Sequence, residues 1–206
     1  MPARVDAMKS QHGFTLIEIL VTMFVAGIGL LAVAGLQAMS KKLNYDAIQR
    51  TTASALAQSM VESMRGNPAN LDDYLTSDAS QVSAAADCAA ATCSPSQLAA
   101  YDLVRWDEAL QGTEATSGGE AAGGLVNPTG CITRDDAVAG LYIVAVAWQG
   151  VTGIDPPDAD DPADDPARNT CGLDLDRYDD PLTSGSDDRL RRVLVINAYV
   201  SDPNAP

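Results

Sequence analysis

One carboxylate, Glu18, stands five residues into the otherwise apolar run that opens at Phe14 in the stretch QHGFTLIEILVTMFVAGIGLLAVAGL. A lone acid in hydrocarbon costs about 2.5–3.5 kcal/mol even on insertion-based scales, so such a residue normally has a partner or a task. The run itself offers no basic side chain. For a generic membrane segment the acid would simply snorkel to the nearer interface.

The other residues with chemical potential are cysteines, aspartates and one histidine. Cys88, Cys93, Cys131 and Cys171 all follow the apolar run, and an even number there suits an oxidising compartment. Cys88 and Cys93 enclose four residues and can bridge locally, which would leave Cys131 to bridge to Cys171 across the acidic region. Three pairings remain open. Closing a loop of about 40 residues with the second bridge would contribute ~2–4 kcal/mol in the chain-entropy model. The spacing lacks paired CxxC units, so disulfides are expected in place of zinc, and no metal site is expected. Aspartates crowd from Asp155 to Asp165 and recur at Asp174, Asp176, Asp179 and Asp180. They lack the spaced D-x-D-x-D-G ligand loop of a calcium site and are interrupted by prolines, so a solvated acidic loop is expected. His12 precedes the apolar run, and no nucleophile with a base partner is visible. No enzyme and no cofactor is expected.

Across 206 residues there are 13 basic and 28 acidic side chains, a net charge of −15 with a pI near 4.1. Such a surface repels a phosphate backbone, so nucleic acid is not an expected partner, and a DNA-uptake role would need a basic stripe that is missing.

The elements that position these groups begin with a membrane segment. No charge occurs from Ile19 to Leu36, and Phe14 to Leu36 spans ~35 Å at ~1.5 Å per residue, enough to cross a bilayer. Arg4 and Lys9 precede it, so residues 1–13 are placed in the cytoplasm and the remainder outside. A secretory signal peptide would have a shorter apolar core followed by its small-residue cleavage site, whereas Gly13 comes before this core. Beyond Leu36 the chain turns polar without a break until Gly66, with Leu36, Met39, Leu43, Ala47, Ala57, Val61 and Met64 on one side at a 3.6 period. One helix over about 14–65 is predicted, capped by Gly66, blocked by Pro68, with Arg65 against its dipole. Its apolar positions hold no seven-residue repeat, so it is not a coiled coil.

In the head, Ser94 with Gln97 has capping-box spacing, Pro95 suits a first turn, and Gly112 ends a helix over about 95–111. Leu98, Tyr101, Val104 or Arg105, and the turn from Trp106 to Leu110 are expected to form its apolar side, with Trp106 in the core. TSGGEAAGGLV lacks the lysine and spacing of a phosphate loop and is expected to be a flexible turn. GLYIVAVAWQG is apolar on both faces, with Tyr142, Val144, Val146 and Trp148 facing one way, so it should be a central strand. Arg189 to Val200 reads the same way and should share the sheet. The Asp- and Pro-rich segment 153–188 between them is expected to be a long exposed loop. The fold class is α+β: a long N-terminal helix whose C-terminal half packs on an antiparallel sheet.

GFTLIEILVT, from Gly13 to Thr22, resembles the class III signal of type IV pilins and type II secretion pseudopilins. The resemblance implies that a prepilin peptidase cuts between Gly13 and Phe14 and N-methylates Phe14, removing leader 1–13. It implies that Glu18 pairs with the terminal amine of a neighbouring subunit, so the partner missing from the run is made by proteolysis. It further implies an organisation of filament-core helix 14–36, amphipathic helix 37–65 and periplasmic head 66–206 with acidic loop 153–188. Gly27 matches a common family glycine, and Gly35 stands where major pilins often have proline. MRGNP, AAYDLVRW, AVAWQG and RRVLVINAYV are together similar to the minor pilin PilV, or type IV pilus modification protein, family. That likeness implies a structural subunit that primes pilus assembly and sits near the tip, supporting adhesion and twitching motility. Its implied partners are other minor pilins, the major pilin, the prepilin peptidase, the inner-membrane assembly platform and, before assembly, membrane lipid. The alternative is a minor pseudopilin of type II secretion, which shares the signal and the helix.

Overall fold

The computed structural model describes residues 13–84, 86–113, 116–117, 120–121, 123–155, 166–183 and 187–201. Most of the leader, with Arg4, Lys9 and His12, and the aspartates from Asp158 to Asp165 lie outside the described residues. Two compact units meet at the Asn44–Tyr45 boundary.

Helix α1 runs Leu16–Gly66, two residues inside the predicted start and one beyond the predicted end. In the first unit every described helical residue is exposed. In the second unit α1 buries Gln49, Ala53, Ala57, Met60, Val61 and Met64, a stripe at steps of four, four, three, one and three. The predicted stripe is right at Ala57, Val61 and Met64. It is wrong at Ala47, which is exposed, while Gln49, Ala53 and Met60 take the inward positions. The physical reason is that the stretch is rich in alanine, and hydrophobic periodicity gives no weight to a buried glutamine. The Gln49 amide donates to Gly124 O at 3.4 Å, and its carbonyl accepts from Val126 N at 3.2 Å. Gly66 is not a left-handed cap, since its φ is not positive. The helix ends instead where Asn67 leaves helical geometry and Pro68 opens a 3-10 helix, Pro68–Tyr74.

Helix α2, Pro95–Gln111, begins with a full Ser94/Gln97 capping box and stops at Gly112, whose φ of 71° is left-handed. Its buried residues are Ala99, Leu103, Trp106 and Leu110, so the inward face is turned by about one position from the expected Leu98–Tyr101–Val104 line. Two-residue strands β1 (Thr116–Ser117) and β2 (Glu120–Ala121) pair antiparallel inside the glycine-rich stretch expected to be a turn alone.

The main sheet is antiparallel in the order β3–β4–β5: Thr129–Arg134, Leu141–Gln149 and Arg191–Tyr199. β4 is central, as its two apolar faces required. Cys131 opposes Ala145, which opposes Val195; Ile132 opposes Val144, which opposes Ile196. One face, with Ile132, Val144, Val146, Trp148 and Ala198, joins the α1 and α2 stripes in the larger core. The other carries Cys131, Ala145, Ala147, Cys171 and Tyr178, with Val193 and Val195 beside them. Gly130 is the tight point of the larger core, because a Cβ there would lie 2.5 Å from the Trp106 ring.

Candidate functional site

The N-terminal segment is built by local hydrogen bonding. Thr15 caps α1: its hydroxyl accepts from Glu18 N at 3.3 Å and its carbonyl accepts from Glu18 N at 3.1 Å and Ile19 N at 3.3 Å. Glu18 therefore occupies the third helical position, where a negative charge is favoured by the exposed amides of the helix start. The Thr-x-x-Glu spacing of Thr15 and Glu18 is the local sequence signal of such a cap. Gly13 and Phe14 precede the helix in non-helical backbone. Phe14, Leu16 and Leu31 are 79%, 76% and 76% exposed. Among the described residues α1 is the one helix long and apolar enough to cross a bilayer. An apolar surface this continuous has to be covered by lipid or by other protein.

In the head, the residues of the MRGNP and YDLVRW motifs form a polar lock between the end of α1 and α2. Buried Asn67 donates to Pro95 O at 2.7 Å and to the Tyr74 hydroxyl at 3.4 Å, and Tyr74 donates to Asp102 Oδ2 at 2.6 Å. Burial pushes the Tyr74 hydroxyl well above its ordinary pKa, aided by the adjacent Asp102. Burial also raises the Asp102 carboxyl, and the Tyr74 hydrogen bond opposes that rise. One turn further along α2, the Trp106 indole donates to Leu56 O at 3.0 Å, tying the two helices across the core. Trp106 is thus a core residue, as expected.

The cysteines are joined as Cys88–Cys93 and Cys131–Cys171, with Cα atoms 5.5 and 5.8 Å apart. The first bridge is local and at the surface. The second links β3 to the segment after the Asp-rich run and is buried in the smaller core. That segment corrects the expectation of a wholly exposed loop. Tyr178 is fully buried, its hydroxyl donating to Asn127 O at 2.9 Å and lying 2.8 Å from the Thr129 hydroxyl. Buried Arg191 donates to Ala167 O, Asn169 O and Cys171 O at 2.7, 2.8 and 3.0 Å. Two of the described aspartates hold backbone amides in place: Asp179 Oδ1 accepts from Asp187 N and Asp188 N, and Asp187 Oδ1 accepts from Asp180 N and Arg189 N. The segment packs because these carboxylates satisfy a backbone that has no sheet to join. Among the described residues no cluster of three or more His, Cys, Asp or Glu side chains is arranged to hold a metal.

The class of the protein follows from the first of two matches: a family profile described as the prokaryotic N-terminal methylation motif covers residues 8–34, spanning Gly13, Phe14 and Glu18. A second profile, described as type IV pilin Tt1218, covers residues 35–104, from α1 through the Asn67–Tyr74 lock into α2. Contiguous along the chain, these matches and the α+β fold with its long N-terminal helix support the type IV pilin superfamily. Neither the curated proteins nor the solved structures gave a significant match. The family is one of structural subunits, and a prepilin signal followed by one apolar helix fits a membrane-anchored pilin that passes through processing into pili with other pilins.

Proposed function

We propose that this pilin is a minor pilin, a low-abundance subunit that primes type IV pilus assembly, lies near the tip and supports adhesion and twitching motility. The observation that carries the proposal is a single acid, Glu18, capped into the first turn of an apolar helix whose surface is exposed from Leu16 onward, directly after Gly13–Phe14. Prepilin peptidase cuts between Gly13 and Phe14 and methylates the new Phe14 amine. In the filament that amine meets Glu18 of a neighbouring subunit, and the charges compensate each other where water is excluded. Before assembly the chain spans the inner membrane once, with residues 1–13 cytoplasmic and the head periplasmic. The assembly platform then extracts it to join other minor pilins and the major pilin at the cell surface. The head motifs that resemble those of minor pilins support this reading, and in this chain MRGNP and YDLVRW meet through the Asn67–Tyr74–Asp102 lock. Catalysis, cofactors and nucleic acid have no part in this role.

The test is Glu18→Val in the full chain, expressed in a piliated host. Processing at Gly13, read by the mass of the mature chain, should persist. The amount recovered in sheared pili should fall about tenfold or more, the equivalent of ~1.4 kcal/mol or greater. Wild-type incorporation by the variant would refute the role of Glu18.

A further inference from the structure

The two edges of the main sheet differ. On the β3 side, Thr76 pairs with Ile132 in both directions, Thr76 N donating to Ile132 O at 3.0 Å and Ile132 N to Thr76 O at 2.8 Å, so that edge is bridged at its centre. On the β5 side, the ladder phase is set by Gly150 N donating to Leu190 O at 2.7 Å and Val200 N donating to Gly140 O at 2.9 Å. Even-numbered residues of β5 therefore turn their amides and carbonyls toward β4, and Val193, Val195, Asn197 and Tyr199 turn theirs away. Among the described residues none of these outward backbone groups has a backbone partner. Natural sheets blunt a free edge with charge, proline or a bulge. From Val193 to Tyr199 there is no charge and no proline, and the nine-pair register with β4 is unbroken.

A second, independent observation lies at the Arg192 end of this edge. A pocket of about 370 Å³ opens beside Val193, lined also by Asp46, Arg50, Trp148, Pro166 and Arg192. Asp46 Oδ1 is buried there without a hydrogen-bond partner among the described residues. Arg192 folds over Gly150, where a Cβ would sit 2.9 Å from its Cζ, and Arg50 is exposed. The pocket thus offers an unused acceptor, the exposed Arg50 guanidinium, and the Arg192 guanidinium, which already donates to Arg191 O and Thr152 O, beside a row of backbone donors and acceptors that have no backbone partner among the described residues.

Resting on the pilin reading, we infer that the outer edge of β5 and the Asp46–Arg50–Arg192 pocket form one docking site for an extended strand of a different pilin subunit. The incoming backbone pairs with Val195, Asn197 and Tyr199, one of its amides satisfies Asp46, and a carboxylate at that end meets Arg50 and Arg192. A second copy of this chain is the poorer occupant, because residues 45–206 carry 9 basic against 26 acidic side chains and two such heads repel each other.

The test uses the full chain in a piliated host. Asn197 is exposed with its amide pointing outward, so Asn197→Pro removes an edge donor and leaves the β4 ladder intact. Asn197→Lys blunts the edge without touching the backbone, and Asn197→Thr is the benign control. The detergent-solubilised Pro and Lys variants should melt close to wild type while their recovery in sheared pili falls about tenfold; the Thr variant should match wild type, and Arg50→Glu should reduce recovery several-fold. Normal recovery of a folded Asn197→Lys variant overturns the inference. A photo-crosslinking residue in place of Tyr199 identifies the occupant: a bond to another pilin subunit supports the site, and a bond to a second copy, or none, overturns it. If wild type itself is missing from pili, the pilus reading fails, and the same cross-link, taken in the membrane complex, still decides the edge.

Discussion

Residues 16–44 and 45–66 belong to one helix and are opposite in what they do with apolar side chains. In the first stretch Leu20, Phe24, Leu30, Leu31 and Leu36 are exposed. In the second, Ala53, Ala57, Met60, Val61 and Met64 are buried in one core with residues of α2 and the sheet. Both stretches are helical, so the difference lies in what surrounds the helix. The head closes its own core, whereas the N-terminal stretch has an apolar surface that only lipid or other subunits can cover. A buried core stripe and an exposed apolar surface therefore share one continuous helix.

That contrast can be broken most directly by shortening side chains in each stretch. Met64→Ala should destabilise the head by about 2–5 kcal/mol, because a fully buried side chain leaves a cavity. Leu31→Ala should leave head stability unchanged, with both read from thermal melts of the full chain in detergent. An equal loss from the two would show that the N-terminal stretch is structurally coupled to the head. The next largest effect sharpens the comparison inside the head. Replacing both Cys131 and Cys171 by alanine should cost about 4 kcal/mol and replacing Cys88 and Cys93 only about 2, since the sequence separations are 40 and 5. Denaturant midpoints of the two variants should fall in that order. The smallest effect concerns the polar lock at the end of α1. The Asp102 carboxyl is held above its usual pKa by burial, so its contribution to stability is full below about 3.8 and declines as pH rises through the folded value. Asp102→Asn keeps an acceptor for Tyr74 and should weaken the fall in melting temperature over the mildly acidic range. A pH dependence steeper than wild type would overturn the assignment of that cause.

How much of this was legible beforehand depended on whether the signal was local. The capping box at Ser94–Gln97 and the stop at Gly112 were visible because side chain and backbone partners lie within one turn. β4 was identified as central because nine consecutive residues are apolar enough for two buried faces. β3 was missed, since TGCITR is short and small, and its place is decided by pairing with β4 and Thr76. The inward position of Gln49 was invisible because its partners, Gly124 and Val126, are about 75 residues away in sequence. The segment after Cys171 looked like solvated loop by composition, yet the disulfide, Arg191 and Tyr178 pull it onto the sheet.

The chain alone therefore carried an apolar segment long enough to cross a bilayer, the spacing of Gly13, Phe14 and Glu18, the two helices and the central strand, because each is written in nearest-neighbour chemistry and short periods. The tertiary structure alone decided which helical faces turn inward, that Thr76 bridges the β3 edge at Ile132, and that the β5 edge has no backbone partner among the described residues, with a buried Asp46 oxygen in the pocket beside Arg192. Those features depend on residues far apart in sequence meeting in space, and the polar groups among them show their state only once every possible partner has been placed.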